Sequence, residues 1–95
     1  MIEIKIFFLS LLADITGIEE IIMSFDDNST IKDILKELNL KFGKDFKNIV
    51  MNTPDLLSKY VLIGKNGKDI RSFEGLITTV QEGDEVFLLP AIAGG

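Results

Sequence analysis

The sequence contains no cysteine and no histidine. Disulfides are therefore impossible, and neither a Ser-His-Asp nor a Cys-His nucleophile system can be assembled. An ordinary zinc site, built from Cys sulfur and His nitrogen, is excluded on the same ground, and no metal is expected. The lack of cysteine is compatible with a reducing cytoplasm, the expected location. Positive charge is scarce as well: ten Lys and Arg stand against fifteen Asp and Glu, a net charge of −5. Domains that bind nucleic acid carry a basic stripe against phosphate, so no nucleic-acid partner is expected. An acidic protein of this kind suits docking on a basic protein surface. Long apolar runs are missing too. The longest, Ile6-Phe7-Phe8-Leu9, resumed after Ser10 by Leu11-Leu12-Ala13, is far short of the roughly 20 residues that cross a bilayer. Lys5 gives this run a passing likeness to a signal peptide, but Glu3 occupies the would-be basic segment and no small-x-small cleavage site follows. It reads as a strand, and no membrane partner is expected.

What is present is globular. Hydrophobic residues make up 46% of the 95 residues, enough for one modest core and one domain over 1–95. Ile2, Ile4, Ile6 and Phe8 alternate with Glu3, Lys5, Phe7 and Leu9, the period of a half-buried strand. Leu11 to Thr16 reads as a turn or short helical stretch stopped by Gly17. Ile21, Met23 and Phe25 then alternate with Glu20, Ile22 and Ser24, completing an N-terminal hairpin. Thr30 with Asp33 resembles a capping box. Beyond it Ile31, Ile34, Leu35, Leu38 and Phe42 recur at helical spacing until Gly43. Phe46, Ile49 and Val50 allow one further helical turn before Pro54. Tyr60 to Ile63 predicts a strand, Gly64 to Lys68 a turn around Asn66-Gly67, and Asp69-Ile70 a short return. Ser72 to Leu76 predicts a compact helical turn, since Phe73, Leu76 and Ile77 need burial. Glu85 to Leu89 is a last strand, ended by Pro90. A helix packed across one face of a mixed sheet is the simplest way to bury this order of elements, an α+β fold.

Chemistry is to be sought in the segment 90–95, Pro90-Ala91-Ile92-Ala93-Gly94-Gly95. It reads as an extended tail. Glycine lacks Cβ, so the backbone at Gly94 and Gly95 can enter a slot too narrow for other residues. Six extended residues reach roughly 20 Å, far enough to carry a carboxylate into another protein's active site. The plain alternative is a frayed terminus. Two closing glycines arise by chance in roughly one chain in 200 at usual glycine usage, so the pair alone is a weak signal.

The wider segment Gly83-Asp84-Glu85-Val86-Phe87-Leu88-Leu89-Pro90-Ala91-Ile92-Ala93-Gly94-Gly95 resembles the end of the small subunit of molybdopterin synthase. That ending runs Gly-Asp-Glu-Val, apolar residues, Pro-Pro-Val, a small residue and Gly-Gly; Ala91-Ile92 stands here in place of Pro-Val. The likeness extends to Ile4-Lys5-Ile6-Phe7-Phe8, Ile15-Thr16-Gly17, the helix begun at Thr30, and Ile63 to Ile70. The resemblance implies a ubiquitin-like β-grasp fold. It implies that Gly95 is adenylated by an E1-like, ATP-dependent activating enzyme and converted to a thiocarboxylate. It implies further that the sulfur passes to a pterin precursor in a large partner subunit, with Gly94, Ala93, Ile92, Ala91 and Pro90 in the partner's channel. On that reading the chain binds no cofactor, ATP being consumed by the partner, and is a co-substrate rather than an enzyme. Carriers for thiamine and transfer-RNA thiolation, and archaeal ubiquitin-like modifiers joined to target proteins, share the Gly-Gly end.

Two other features of the sequence bear on partners and metals. If the first and last strands are neighbours, Phe7, Phe87 and Leu89 make an apolar patch on the face opposite the helix, a partner interface unless the segment 44–59 covers it. Asp26, Asn28, Thr30 and Glu37 fall at calcium-loop positions, but Ile31 stands where that loop needs glycine, so calcium is not expected.

Overall fold

The structure is a computed structural model and describes residues 1–53, 56–58 and 60–90, with the backbone alone at 52, 53, 56 and 57. The main sheet has five strands: β1 (Ile2–Phe8), β2 (Glu20–Phe25), β5 (Val61–Lys65), β6 (Lys68–Asp69) and β7 (Glu85–Pro90), in the order β2-β1-β7-β5-β6. The short strands β3 (Met51–Thr53) and β4 (Leu56–Leu57) pair separately. The β1–β7 pair is parallel and the other pairs are antiparallel. The sheet is thus mixed, with the two end segments of the sequence side by side at its centre.

Helix α2 (Ile31–Phe42) crosses one face. It starts where the sequence predicts: the Asp33 N–H donates to Thr30 Oγ1 at 3.3 Å, and the Thr30 N–H donates to Asp33 Oδ2 at 2.8 Å. This reciprocal box satisfies two orphan donors of the first turn. Ile31, Ile34, Leu35 and Leu38 are buried against Ile4, Ile6, Phe8, Val86, Leu88 and Ile63 in one cluster. Alternation on the strands and helical spacing on α2 thus meet in a single core. Helix α1 (Leu11–Thr16) adds Leu12 to it.

Several local expectations are corrected. The segment after Gly43 forms α3 (Lys44–Val50), longer than one turn. It packs on the α2 side, where Phe46 and Phe42 meet Phe8 edge-on at 5.9 and 5.3 Å between ring centroids. α3 therefore does not cover the opposite face. Strand β5 starts at Val61 and runs through Gly64 and Lys65, which the sequence reading had placed in a turn; the turn is Asn66-Gly67, both at positive φ, 52° and 85°. The return strand β6 lies one residue earlier than expected, and Ile70 opens a 3₁₀ turn, Ile70–Ser72. A second follows at Gly75–Ile77. Burial is shared differently from expectation: Ile70 and Val80 enter the core, Leu76 packs against it in part, and Phe73 and Ile77 remain exposed. The Phe73 ring instead receives the Lys65 ammonium at 4.8 Å, and that ammonium also donates to the Thr79 carbonyl at 3.2 Å. A cation–π contact at the surface thus takes the place of burial for this ring.

Candidate functional site

Strand β7 is the element that precedes the segment 91–95. It lies between β1 and β5 and ends at Pro90, which is buried and opposite Val61. Pro lacks a backbone donor, and a central strand tolerates it at this terminal position. Sequence reading ended the strand before Pro90; the sheet includes it. On the neighbouring strand the Leu9 N–H donates to the Leu88 carbonyl at 3.1 Å, so the chain leaves the sheet beside the end of β1. The predicted residues Ala91, Ile92, Ala93, Gly94 and Gly95 lie outside the described residues.

The other end of β7 is held by a polar clamp. Asn66 Oδ1 accepts from the Glu85 N–H at 2.9 Å, and the Asn66 side-chain amide donates to Asp84 Oδ1 at 2.9 Å. Asp84 Oδ2 in turn accepts from the Gln81 N–H at 2.8 Å. The hairpin tip thereby locks the start of β7, and with it the register of every residue up to Pro90.

That register brings the three patch residues together. Phe7 and Phe87 are direct partners across the parallel pair, and Leu89 stands opposite Leu62. All three side chains are partly exposed on the face away from α2, whereas Ile6, Phe8, Val86 and Leu88 are buried on the other. Three residues not singled out from sequence belong to the same face. Leu62 follows from alternation with buried Val61 and Ile63. Ile22, 59% exposed, is opposite Lys5 and extends the apolar surface towards the β2 edge. Gly64 is the third: a Cβ there would lie 2.0 and 2.1 Å from two carbons of the Phe87 ring. The ring therefore rests directly on the β5 backbone, a close approach that only glycine permits. Nothing in the local sequence distinguishes this from a turn glycine. Charges frame the patch: Lys5 Nζ lies 5.9 Å from the Phe7 ring centroid and 4.0 Å from Glu20 Oε2.

Among the described residues no cluster of acidic side chains is suited to hold a metal. Of the calcium-loop candidates, Thr30 is engaged in the helix cap. No helix is long and apolar enough to cross a membrane.

Comparison with known proteins agrees with this geometry. A relative from Archaeoglobus fulgidus, provisionally named a sulfur carrier protein, is 38% identical over 66 residues, 70% of this chain and 74% of the relative. Small archaeal modifier protein 3 of Haloferax volcanii is 25% identical over 93 residues, 98% of this chain and 99% of that one. The solution structure of small archaeal modifier protein 1 from Methanosarcina acetivorans superposes with a TM-score of 0.86 at 29% identity, covering 100% of this chain and 98% of the other. The architecture is the ubiquitin-like β-grasp fold that the resemblance implied. Residues 6–95 match the ThiS family, and the chain belongs to that family.

Proposed function

We propose that this protein is a sulfur carrier whose working group is the carboxylate of Gly95. The observation that carries the reading is the family match, which runs through Gly95, joined to a fold that delivers Pro90 from the middle of the sheet. The chemistry is two-step. A carboxylate is a poor electrophile, so its oxygen first attacks the α-phosphorus of ATP on an E1-like activating enzyme, releasing pyrophosphate and leaving an acyl-adenylate. A sulfur nucleophile then attacks the acyl carbon; the C–O bond to AMP breaks and a C–S bond forms. With hydrosulfide as that nucleophile, AMP carries away the C–O bonding pair and loss of the S–H proton leaves the thiocarboxylate. Without histidine or cysteine the chain supplies no imidazole and no thiol of its own; on this reading it acts as co-substrate and the partner as enzyme. The patch of Phe7, Phe87 and Leu89 is the docking face, since partly exposed aromatic residues over a rigid sheet make interface anchors. Molybdopterin synthase, with a large subunit as acceptor, is the finer assignment, supported by the tail resemblance.

Intact mass after incubation with an activating enzyme from the same cell, ATP and a sulfur donor tests the carrier reading. The expected product has one oxygen replaced by sulfur, mapped by fragmentation to Gly95. No such product with any activating enzyme of that cell refutes it. A second reading is favoured by the near full-length similarity to two archaeal modifier proteins: attachment through Gly95 to lysines of target proteins. Recovery of isopeptide-linked conjugates from cells, in place of a free thiocarboxylate, selects that reading. Transfer of sulfur to a pterin precursor by a co-purified large subunit tests the molybdopterin assignment.

A further inference from the structure

On the helical side of the molecule, away from the Phe7–Phe87 face, lies an open groove of about 680 Å³. Its floor is apolar: Leu35 and Met51 are buried and Leu76 is partly so. At its lip stands Leu40, 73% exposed on a helix whose other large aliphatic residues face the core. Lys36 and Lys47, both exposed, flank it from α2 and α3, and Lys32 also lines it. Among the described lining residues the one acid, Asp33, is bound into the Thr30 capping box. In a chain of net charge −5, this is a locally cationic site over an apolar floor.

Asn39 contributes the remaining observation. It lines the groove, and its Oδ1 is shut off from solvent with no hydrogen-bond partner among the described residues. Buried polar atoms in folded proteins are nearly always paired. With Oδ1 shut off, what the partly exposed Asn39 offers to the groove is the pair of donors on its amide nitrogen, a match for a backbone carbonyl. A bare phosphate would use the lysines and leave the apolar floor wet. A purely apolar ligand would leave Lys36 and Lys47 without counter-charge.

We propose that this groove docks a peptide segment of a partner protein, with an aliphatic core on the Leu35–Met51–Leu76 floor and acidic residues against Lys36 and Lys47. The Asn39 amide nitrogen donates to a backbone carbonyl of the segment. This surface is separate from the sheet face, so a partner held here leaves Phe7, Phe87 and Pro90 open to an activating or acceptor protein.

The test is selection from a random-peptide display library on the intact protein, followed by anisotropy titration of the enriched peptides. Expected are peptides with aliphatic residues flanked by Asp or Glu, whose affinity falls with added salt and drops about tenfold or more in Lys36→Glu/Lys47→Glu. Leu40→Asp, at an exposed position, is expected to weaken the same peptides without lowering the melting temperature. No common sequence, enrichment of basic peptides, or equal binding to both variants overturns the proposal. So does displacement of the peptides by ATP or inorganic phosphate, which would make the groove an anion site. Self-association of the wild-type protein abolished by Leu40→Asp also overturns it, in favour of an interface between copies of this chain.

Discussion

Replacing Gly64 by alanine adds one methyl group at the point where the Phe87 ring touches the β5 backbone. The added carbon would sit 2.0 Å from one ring carbon and 2.1 Å from the next, against a van der Waals optimum of about 3.5–4.0 Å. The ring must therefore swing away by well over an ångström. Its free direction is outward, because Phe87 lies on the partly exposed face and Val86 and Leu88 hold the strand in the core. Overpacking of this kind costs about 1–3 kcal/mol. Alanine in a strand interior regains about 0.5–1 kcal/mol over glycine, leaving a net loss near 1 kcal/mol, or a fall in melting temperature of about 4–8 °C for a domain of this size. The decisive assay is a double-mutant cycle by urea and thermal unfolding. Once Phe87→Ala has removed the ring, Gly64→Ala should become neutral or mildly stabilising. An unchanged cost in that background would mean that the ring contact is not what demands glycine at 64.

Leu35→Ala, at a position 2% exposed in the core cluster, is expected to cost about 2–5 kcal/mol in denaturant unfolding; a loss at the surface level of about 0.5 kcal/mol refutes the helix register. Phe7→Asp is expected to leave the melting temperature nearly unchanged while weakening partner binding by about 2 kcal/mol or more; a collapse of the fold would place Phe7 in the core instead. Asp69 is held below its ordinary carboxyl range chiefly by the Arg71 side chain, whose Nε and terminal nitrogen donate to it at 2.9 and 2.6 Å, and also by the Arg71 backbone N–H at 2.8 Å. A depressed folded-state value means that the contribution is present above the unfolded-state pKa and is lost as pH falls through the folded one, in the acidic range below about 4. NMR titration of the Asp69 carboxyl in Arg71→Ala should show the midpoint moving upward, and an unmoved midpoint refutes the pairing.

Much of this protein follows from local rules that act along the chain. Period-two alternation on Ile2 to Phe8 and helical spacing from Ile31 to Phe42 each define one apolar face, and burial of those faces against each other leaves little choice of architecture. The helix start was legible because Thr30 and Asp33 satisfy each other's donors within one turn. The ending that resembles the family is contiguous in sequence, Gly83 to Pro90 followed by Gly94-Gly95, so it could be noticed without a structure. What depended on non-local contacts was not. Phe73 and Ile77 look like core residues by composition, yet Ile70 and Val80 take the buried places. Limited core volume decides among apolar residues, and a sequence window does not measure that volume. The patch of Phe7, Phe87 and Leu89 could be named from alternation only on the condition that β1 and β7 are neighbours, and that pairing, parallel and joining Phe7 to Phe87 across most of the chain, came from the tertiary structure. The path of α3 to the helical side was equally a matter of packing, decided by the ring contacts of Phe8, Phe42 and Phe46. Gly64 shows the division most sharply. Its residue type is visible in the sequence, but the reason for it is an aromatic ring on another strand, brought there by the antiparallel register of β5 and β7.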